Sequence, residues 1–526
     1  MALETTDIVI ITGYGILLFL IALVISRKDS GEDRDTEDYF LAGRALPWWA
    51  IGASLIASNI SAEQIIGQSG QGYAVGIAIA AYEWQAAIVL LVVAKYFLPI
   101  FLKRGIFTMP QFLNERYGSG VKSLMSVYWL GLYTAVNLTT VLWLGGLAVN
   151  SFIGWPVFSS MAALAIFAGA YSLYGGLKAV AFTDIIQVVV LIIGGLAITM
   201  IALDMIEGAD GVLGGLSTIY TQLPSHFDMI LDDSHAAYGD LPGIWTLLGG
   251  LWVLHFSYWG FNQYIIQRAL GAESLQEAQK GLAFAAFLKL FVPVIVVIPG
   301  IAAVILASQG TLDAGILEGQ SDRTYGELMK LAPTGLKGLV FAALIAAIVS
   351  SLASMMNSIS TIFTMDLYRT YKPSKPEGHY VTVGRIAAAV SMVLALLLAQ
   401  PFLGGFESAF QTVQEYSGFI APGVVVVFLL GFFSKTVNAQ GAYGALIGSV
   451  TFNILLKFML PDIPFIIRIW IVFIACFVIA LLVSRVFQGD TVQQNEDEVG
   501  FKTQPIFNVL SSLVILMFVG LYIFLW

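Results

Sequence analysis

The chain is poor in charge, in cysteine and in histidine, and each shortage excludes something. Of its 526 residues only 11% are Asp, Glu, Lys or Arg, less than half the roughly 25% of an ordinary soluble domain. Combined with a hydrophobic content of 58%, that leaves too little polar surface to cover a water-facing globule. The single cysteine, Cys476, sits in an apolar run, so no disulfide forms within the chain and redox chemistry is not expected. Four histidines, with no metal-ligand or nucleophile–base spacing, argue against a membrane-embedded enzyme. No repeated pore motif or ring of charge points to a channel. The net charge of −9 is spread over loops and gives no surface for nucleic acid.

What is there is a regular series of apolar runs. Spanning a bilayer takes roughly 20 apolar residues in a helix, and by that rule there are about 14 candidate spans, the first at 7–26 and the last at 505–525. The fold class expected is therefore an all-α membrane protein. The 52 glycines suit helices that pack closely or break. Glu4 and Asp7 precede the first span, and Arg27 and Lys28 follow it. A secretory signal has the reverse layout, so this reads as a retained helix with its N-terminus outside. With that orientation 19 basic residues fall on the cytoplasmic side and 5 outside, as the positive-inside rule requires. The segment 206–242 carries six acidic residues and no Lys or Arg, which suits an external loop. Both termini are then expected outside.

Two spans are interrupted. The span 46–72 carries Ser58-Asn59-Ile60-Ser61-Ala62-Glu63-Gln64 at its middle, and the span 243–269 carries His255 to Gln263. Polar side chains at that depth are costly unless they face protein or a cavity. Hydrogen-bonding glue between helices explains one such cluster; a matched pair favours a transporter binding site. Each broken span opens a block of five helices, 46–205 and 243–433, the parity of two inverted repeats. The remaining pieces are 1–45, with one extra helix, the loop 206–242, and 434–526, with three helices. Ala347, Ser350 and Ser351 share one helical face and could offer neutral oxygens to a sodium ion, beside carbonyls freed near Ala57 and Ile60; small-residue packing is the ordinary explanation of such a face, and only the nearby break argues for an ion. Glu83 and Lys289 are ionisable residues inside spans, which face a wet cavity or pair with each other. Asp184 and Glu415 lie nearer span ends and could reach water.

Several runs resemble the sodium/solute symporter family, and most closely its bacterial sodium/galactose (sodium/glucose-type) members. They are Asp38-Tyr39-Phe40-Leu41-Ala42-Gly43, Asn59 to Gln64, Tyr174-Gly175-Gly176-Leu177, Trp259-Gly260-Phe261-Asn262-Gln263-Tyr264 and Ile348-Val349-Ser350-Ser351-Leu352. The resemblance implies a LeuT-type fold of five plus five inverted helices in the plasma (bacterial inner) membrane, driven by Na+ and carrying a small sugar. It implies sugar-binding groups at Gln64, Glu83, Lys289 and Gln414, with Asn59 joining sugar site to sodium site. Tyr258 then matches an inner-gate aromatic beneath the sugar ring, with Trp259 beside it, and Tyr82 and Phe410 match an outer gate. The implied sodium ligands are the carbonyls of Ala57, Ile60 and Ala347 and the hydroxyls of Ser350 and Ser351, with Asp184 on the ion's path.

Three positions depart from that pattern. His255 stands where the galactose carriers have a sugar-contacting Asn, Ala86 where they have Ser, and Gln68 where they have a gate Met. A sugar is therefore the expectation and galactose one candidate. A symporter of the same fold for an amino acid, organic acid or vitamin is the alternative, although no Arg joins the pocket candidates to hold an anion. Proton coupling through Glu83 or Asp184 is a further alternative, against which the neutral ion ligands speak.

Overall fold

The computed structural model describes residues 4–26, 36–317, 319–404, 409–487 and 499–526. Arg27, Lys28 and Arg34, counted in the charge bias, lie outside these, as do the side chains of Asp38 and of Tyr174 to Gly176. Among the described residues the chain is helical, with one isolated bridge between Leu46 and Ala272. Nine helices among the described residues are long and apolar enough to cross a membrane, ten if one bent pair counts as a span. The two broken spans are split into shorter helices and are not among these. The chain is helical throughout Val157–Asp204, 48 residues, more than twice the roughly 20 that one span needs.

The helices sort into a buried centre and a lipid-facing rim. Of the most apolar stretch of Leu336–Tyr371, 89% is buried inside the protein, against 28% for Glu377–Leu403 and 17% for Pro505–Phe524. A helix exposed on most faces yet apolar all round has lipid as its solvent. The chain is a multi-pass membrane protein.

Both expected breaks are present. The helix Trp48–Asn59 ends where Ile60 turns to φ −73°, ψ 90°, and helical geometry resumes as a π-turn at Glu63–Gln68 and an α-helix at Ser69–Ala74. The second span is helical from Leu251 to Phe261, its last part again a π-turn. It breaks at the single residue Asn262 (φ −78°, ψ 123°) and continues as Gln263–Leu270. A third interruption was not anticipated. The helices Leu275–Lys289 and Val292–Ser308 meet at an angle of 44°. Pro293 is the cause: it has no N–H to offer, and its ring crowds the carbonyl four residues earlier, that of Lys289. The Leu290 carbonyl left over at the kink accepts from Trp84 Nε1 at 3.1 Å.

Glycine lets this kinked pair approach the first broken span. A Cβ on Gly281 would stand 2.8 Å from Ile51 Cγ2, and one on Gly72 would stand 2.5 Å from the Val297 carbonyl oxygen. Backbones this close are typical of membrane helix packing, where small residues replace a hydrophobic driving force. Lys289 is thereby held against the first break. Asp7, read from sequence as an orientation marker, is buried and caps another helix: its Oδ1 accepts from the Gly335 and Gly338 amides at 2.8 and 2.9 Å.

Candidate functional site: a polar cavity where the broken helices meet

The first break is tied down by its own side chains. Gln64 Oε1 accepts from the Ser61 amide at 3.1 Å and from Ser61 Oγ at 2.9 Å, and Ser61 Oγ accepts from the Glu63 amide at 3.1 Å. The amide oxygen of Gln64 is therefore spent on the backbone, which leaves its NH2 as the end able to meet a ligand. At the second break Asn262 Oδ1 accepts from the Tyr264 amide, and the Tyr133 hydroxyl donates to the same oxygen at 2.6 Å while accepting from the Gln263 amide at 2.8 Å.

Between the two breaks lies a cavity lined by Asn59, Glu63, Gln64, Gln68, Tyr82, Glu83, His255, Tyr258, Trp259, Lys289 and Gln414, among others. It holds about 70 Å³ of space for water, room for roughly five molecules. Glu83 and Lys289, each 1% exposed, form an ion pair across it. Glu83 Oε1 also accepts from Gln68 Nε2 at 2.8 Å, and the Lys289 ammonium also donates to Asn59 Oδ1. Asn59 Nδ2 in turn donates to the Tyr258 hydroxyl at 3.2 Å, and Tyr264 donates to that same hydroxyl at 2.7 Å. The Lys289 ammonium lies 4.9 Å from the Trp259 ring centre, a cation–π contact.

Six buried polar atoms on this lining have no partner in the protein: Glu63 Oε1, Gln68 Oε1, Tyr82 OH, Trp129 Nε1, Asn137 Oδ1 and His255 Nε2. Each costs about 1–3 kcal/mol while unsatisfied. Donors and acceptors are interleaved, so the ligand they suit is one rich in hydroxyls, which can both give and accept. Over one side the Tyr82 ring meets Phe410 edge-to-face at 5.3 Å and His255 at 6.3 Å. On the other, Tyr258 is packed edge-to-face against Trp259 at 5.1 Å and Tyr264 at 5.6 Å.

Beside the first break lies a cluster of oxygens. Ser351 Oγ donates to the Ser58 carbonyl at 2.9 Å, and Ser350 Oγ donates to Asp184 Oδ1 at 2.5 Å. Asp184 Oδ2 accepts from Ser54 Oγ at 2.5 Å and pairs with Arg268. Ser58 and Ser354 hydroxyls are 3.1 Å apart. Ala57, Ile60 and Ala347 are all buried.

A model of the "Sodium:solute symporter family" matches residues 39–449. The chain belongs to this family. The sodium/glucose cotransporter of Vibrio parahaemolyticus is 47% identical to this symporter over 100% of the chain and 99% of the relative. Sodium/glucose cotransporter 4 of Danio rerio is 32% identical over 85% of the chain and 71% of the relative. The structure of a Na+-coupled sialic acid symporter superposes with a TM-score of 0.80 at 20% identity, over 92% of this chain and 98% of that one. That likeness shows the fold, which is LeuT-type. The family and these relatives are transporters and not enzymes.

In the symporter Gln64, Glu83, Lys289, Gln414, Asn59, His255 and Tyr258 all meet on one cavity, although they come from five separate stretches of chain. Gln68 and Tyr82 line it too, with Phe410 edge-to-face against Tyr82. Ala86, one of the three departures, is buried and is not among the lining residues. Asp184 does not reach water as its place near a span end allowed; it is 0% exposed and paired. Its partner Arg268, counted by sequence among the cytoplasmic basic residues, is 1% exposed. A guanidinium so buried is held by the Asp184 carboxylate, Ser54, Ser354 and the Tyr264 carbonyl. Glu415 does reach the surface, paired with Arg468 and Lys457. Sequence reading missed Trp129, Tyr133 and Asn137, which lie on a span that reads as plainly apolar, and Ser54 and Ser354.

Proposed function

We propose that this symporter carries a monosaccharide, of the galactose or glucose type, into the cell together with sodium by alternating access. The observation that carries this reading is the cavity at the junction of the two breaks, with its Glu83–Lys289 pair, its unpartnered donors and acceptors, and an aromatic floor at Tyr258. A sugar presents hydroxyls to such groups and C–H faces to such a ring. Two carboxylates and one ammonium line the cavity and no Arg does, which disfavours anionic solutes. We assign the sugar contacts to Gln64, Glu83, Lys289, Gln414, Asn59 and His255. Tyr82, Gln68 and Phe410 form the outer gate, and Tyr258 with Trp259 the inner one.

Sodium is assigned to the carbonyls of Ala57, Ile60 and Ala347 and the hydroxyls of Ser350 and Ser351, five neutral oxygens, with Asp184 on its way to the cytoplasm. Bound there, the ion joins the first broken helix to Leu336–Ile362 and stabilises a formed sugar pocket. Sugar closes the outer gate; release of sodium into a low-sodium cytoplasm loosens the inner one. The repeats are 46–205 and 243–433, and both termini face outward from the plasma (bacterial inner) membrane. Uptake of radiolabelled D-glucose and D-galactose into proteoliposomes tests this. Accumulation should require an inward sodium gradient and vanish in Gln64→Ala; accumulation indifferent to sodium refutes it.

A further inference from the structure

The second break is closed by a residue from elsewhere in the chain, and that residue touches the cavity through its neighbour. Tyr133 is 0% exposed and opens a π-turn at Tyr133–Leu138, a local widening that recurs at functional sites. Its hydroxyl fills both ends of the gap at Asn262: it donates to the Asn262 side-chain oxygen and accepts from the first amide of the continuing helix, Gln263. Without it, that buried amide would lose its one partner among the hydrogen bonds of the break. The Tyr133 ring stacks on Trp129 at 5.6 Å and 19°, and meets Tyr264 edge-to-face at 5.5 Å. Trp129 lines the cavity with an unpartnered indole N–H. Tyr264 holds the hydroxyl of Tyr258.

We propose that Tyr133 is a positioning residue for the inner gate: its hydroxyl holds the half-helix Gln263–Leu270 in the closed position, and the Trp129 stack makes that hold depend on what occupies the cavity. This rests on the alternating-access reading above. An occupant that accepts from the Trp129 N–H fixes the indole, hence the stacked phenol, hence the two bonds across the break. Moving the inner half-helix requires breaking both bonds, the barrier that sodium release must overcome. Tyr133 touches neither sugar nor ion in this scheme and acts through Asn262, Gln263 and Tyr264.

Tyr133→Phe is the test, because it keeps the ring stack and removes only the hydroxyl. Losing two buried hydrogen bonds should shift the closed-to-open balance by about tenfold. In proteoliposomes this should appear as a sugar-free sodium leak raised by about that factor and a sugar-to-sodium flux ratio that falls, with the amount of folded protein unchanged. Leak and flux ratio equal to wild type overturn the inference. Should Tyr133→Phe not fold, hydrogen exchange of the wild-type peptide spanning 260–266 decides: strong protection with sodium and D-glucose or D-galactose, lost on removing both, supports it, and identical protection in the two conditions overturns it. Failure of wild type to accumulate sugar on sodium refutes the transport reading instead, so the two failures are distinct.

Discussion

The Glu83–Lys289 pair separates a scaffold from a binding site. Lys289→Met keeps the aliphatic stem and removes the ammonium. Glu83, buried, then keeps one donor, Gln68 Nε2 at 2.8 Å. Stranding one member of a buried ion pair costs about 3–5 kcal/mol, and the lost contact with Trp259 adds about 1 kcal/mol. The double variant Glu83→Gln/Lys289→Met carries no stranded charge. Replacing a buried pair with neutral groups of similar shape is close to neutral, so most of the lost stability should return. Transport should not return. The cavity then lacks a charged donor and a charged acceptor, each worth about 1.5–3 kcal/mol to a hydroxyl, so sugar affinity falls by at least about a hundredfold. Thermal unfolding of the purified proteins in detergent reads the first quantity, and sodium-driven uptake of D-glucose and D-galactose the second. A double variant that regains stability and uptake together would show the pair to be scaffold only and refute the sugar assignment.

Other outcomes follow from single contacts. Ser351→Ala removes a hydroxyl placed at the first break and should raise the sodium concentration for half-maximal uptake by about tenfold, equivalent to about 1.4 kcal/mol; unchanged sodium dependence removes the ion site as assigned. Asp7→Ala unpairs the Gly335 and Gly338 amides and should cost about 1–2 kcal/mol of stability, read as a lower thermal midpoint with sugar affinity unchanged. Asp322, in the 3-10 turn Ser321–Arg323, accepts from the Ala409 amide at 3.0 Å at the start of the helix carrying Phe410 and Gln414. Burial pushes its carboxyl from 3.8 up to about 6. The folded state then keeps a proton that the unfolded chain has released, so this group's stabilisation is full below about pH 4 and is lost as pH rises through about 6. Asp322→Asn retains an oxygen for the Ala409 amide and should flatten that slope; a midpoint-versus-pH curve identical to wild type contradicts the burial argument.

Much of the site was legible because membranes penalise polar atoms. Ser58 to Gln64 and His255 to Gln263 stand out in an apolar span, and so do Glu83 and Lys289. The location of the second break within its cluster was less legible, since it depends on a hydroxyl arriving from Tyr133. The kink after Lys289 had a signal in Pro293, four residues beyond, that hydropathy alone does not weigh. Arg268 is harder: at a span end a basic residue reads as cytoplasmic, and only the fold brings Asp184 within 3.3 Å of it. Ser54 and Ser58, like Ser350 and Ser354, are spaced to share a helical face. That the two faces oppose one another is a fact of packing between segments some 300 residues apart, which no local pattern carries.

The proposed ion and sugar sites meet at one dipeptide, Ser58-Asn59 at the end of the first half-helix. The Ser58 carbonyl takes the Ser351 hydroxyl at 2.9 Å, while the Asn59 side chain takes Lys289 and holds Tyr258. The contacts assigned to ion and to sugar therefore fall on adjacent residues of one helix end. At equilibrium sodium must tighten sugar by the same factor by which sugar tightens sodium, commonly about 5- to 150-fold. Asn59→Ala cuts the sugar-side link and leaves the Ser58 carbonyl, Ser350 and Ser351 in place. Both factors should then fall together toward one, while sodium affinity measured without sugar moves by less than about threefold. Binding isotherms of each ligand at zero and saturating levels of the other give all four constants. A factor that survives intact in Asn59→Ala would place the coupling elsewhere, because no other side chain of that helix end bonds both to Lys289 and to the inner gate.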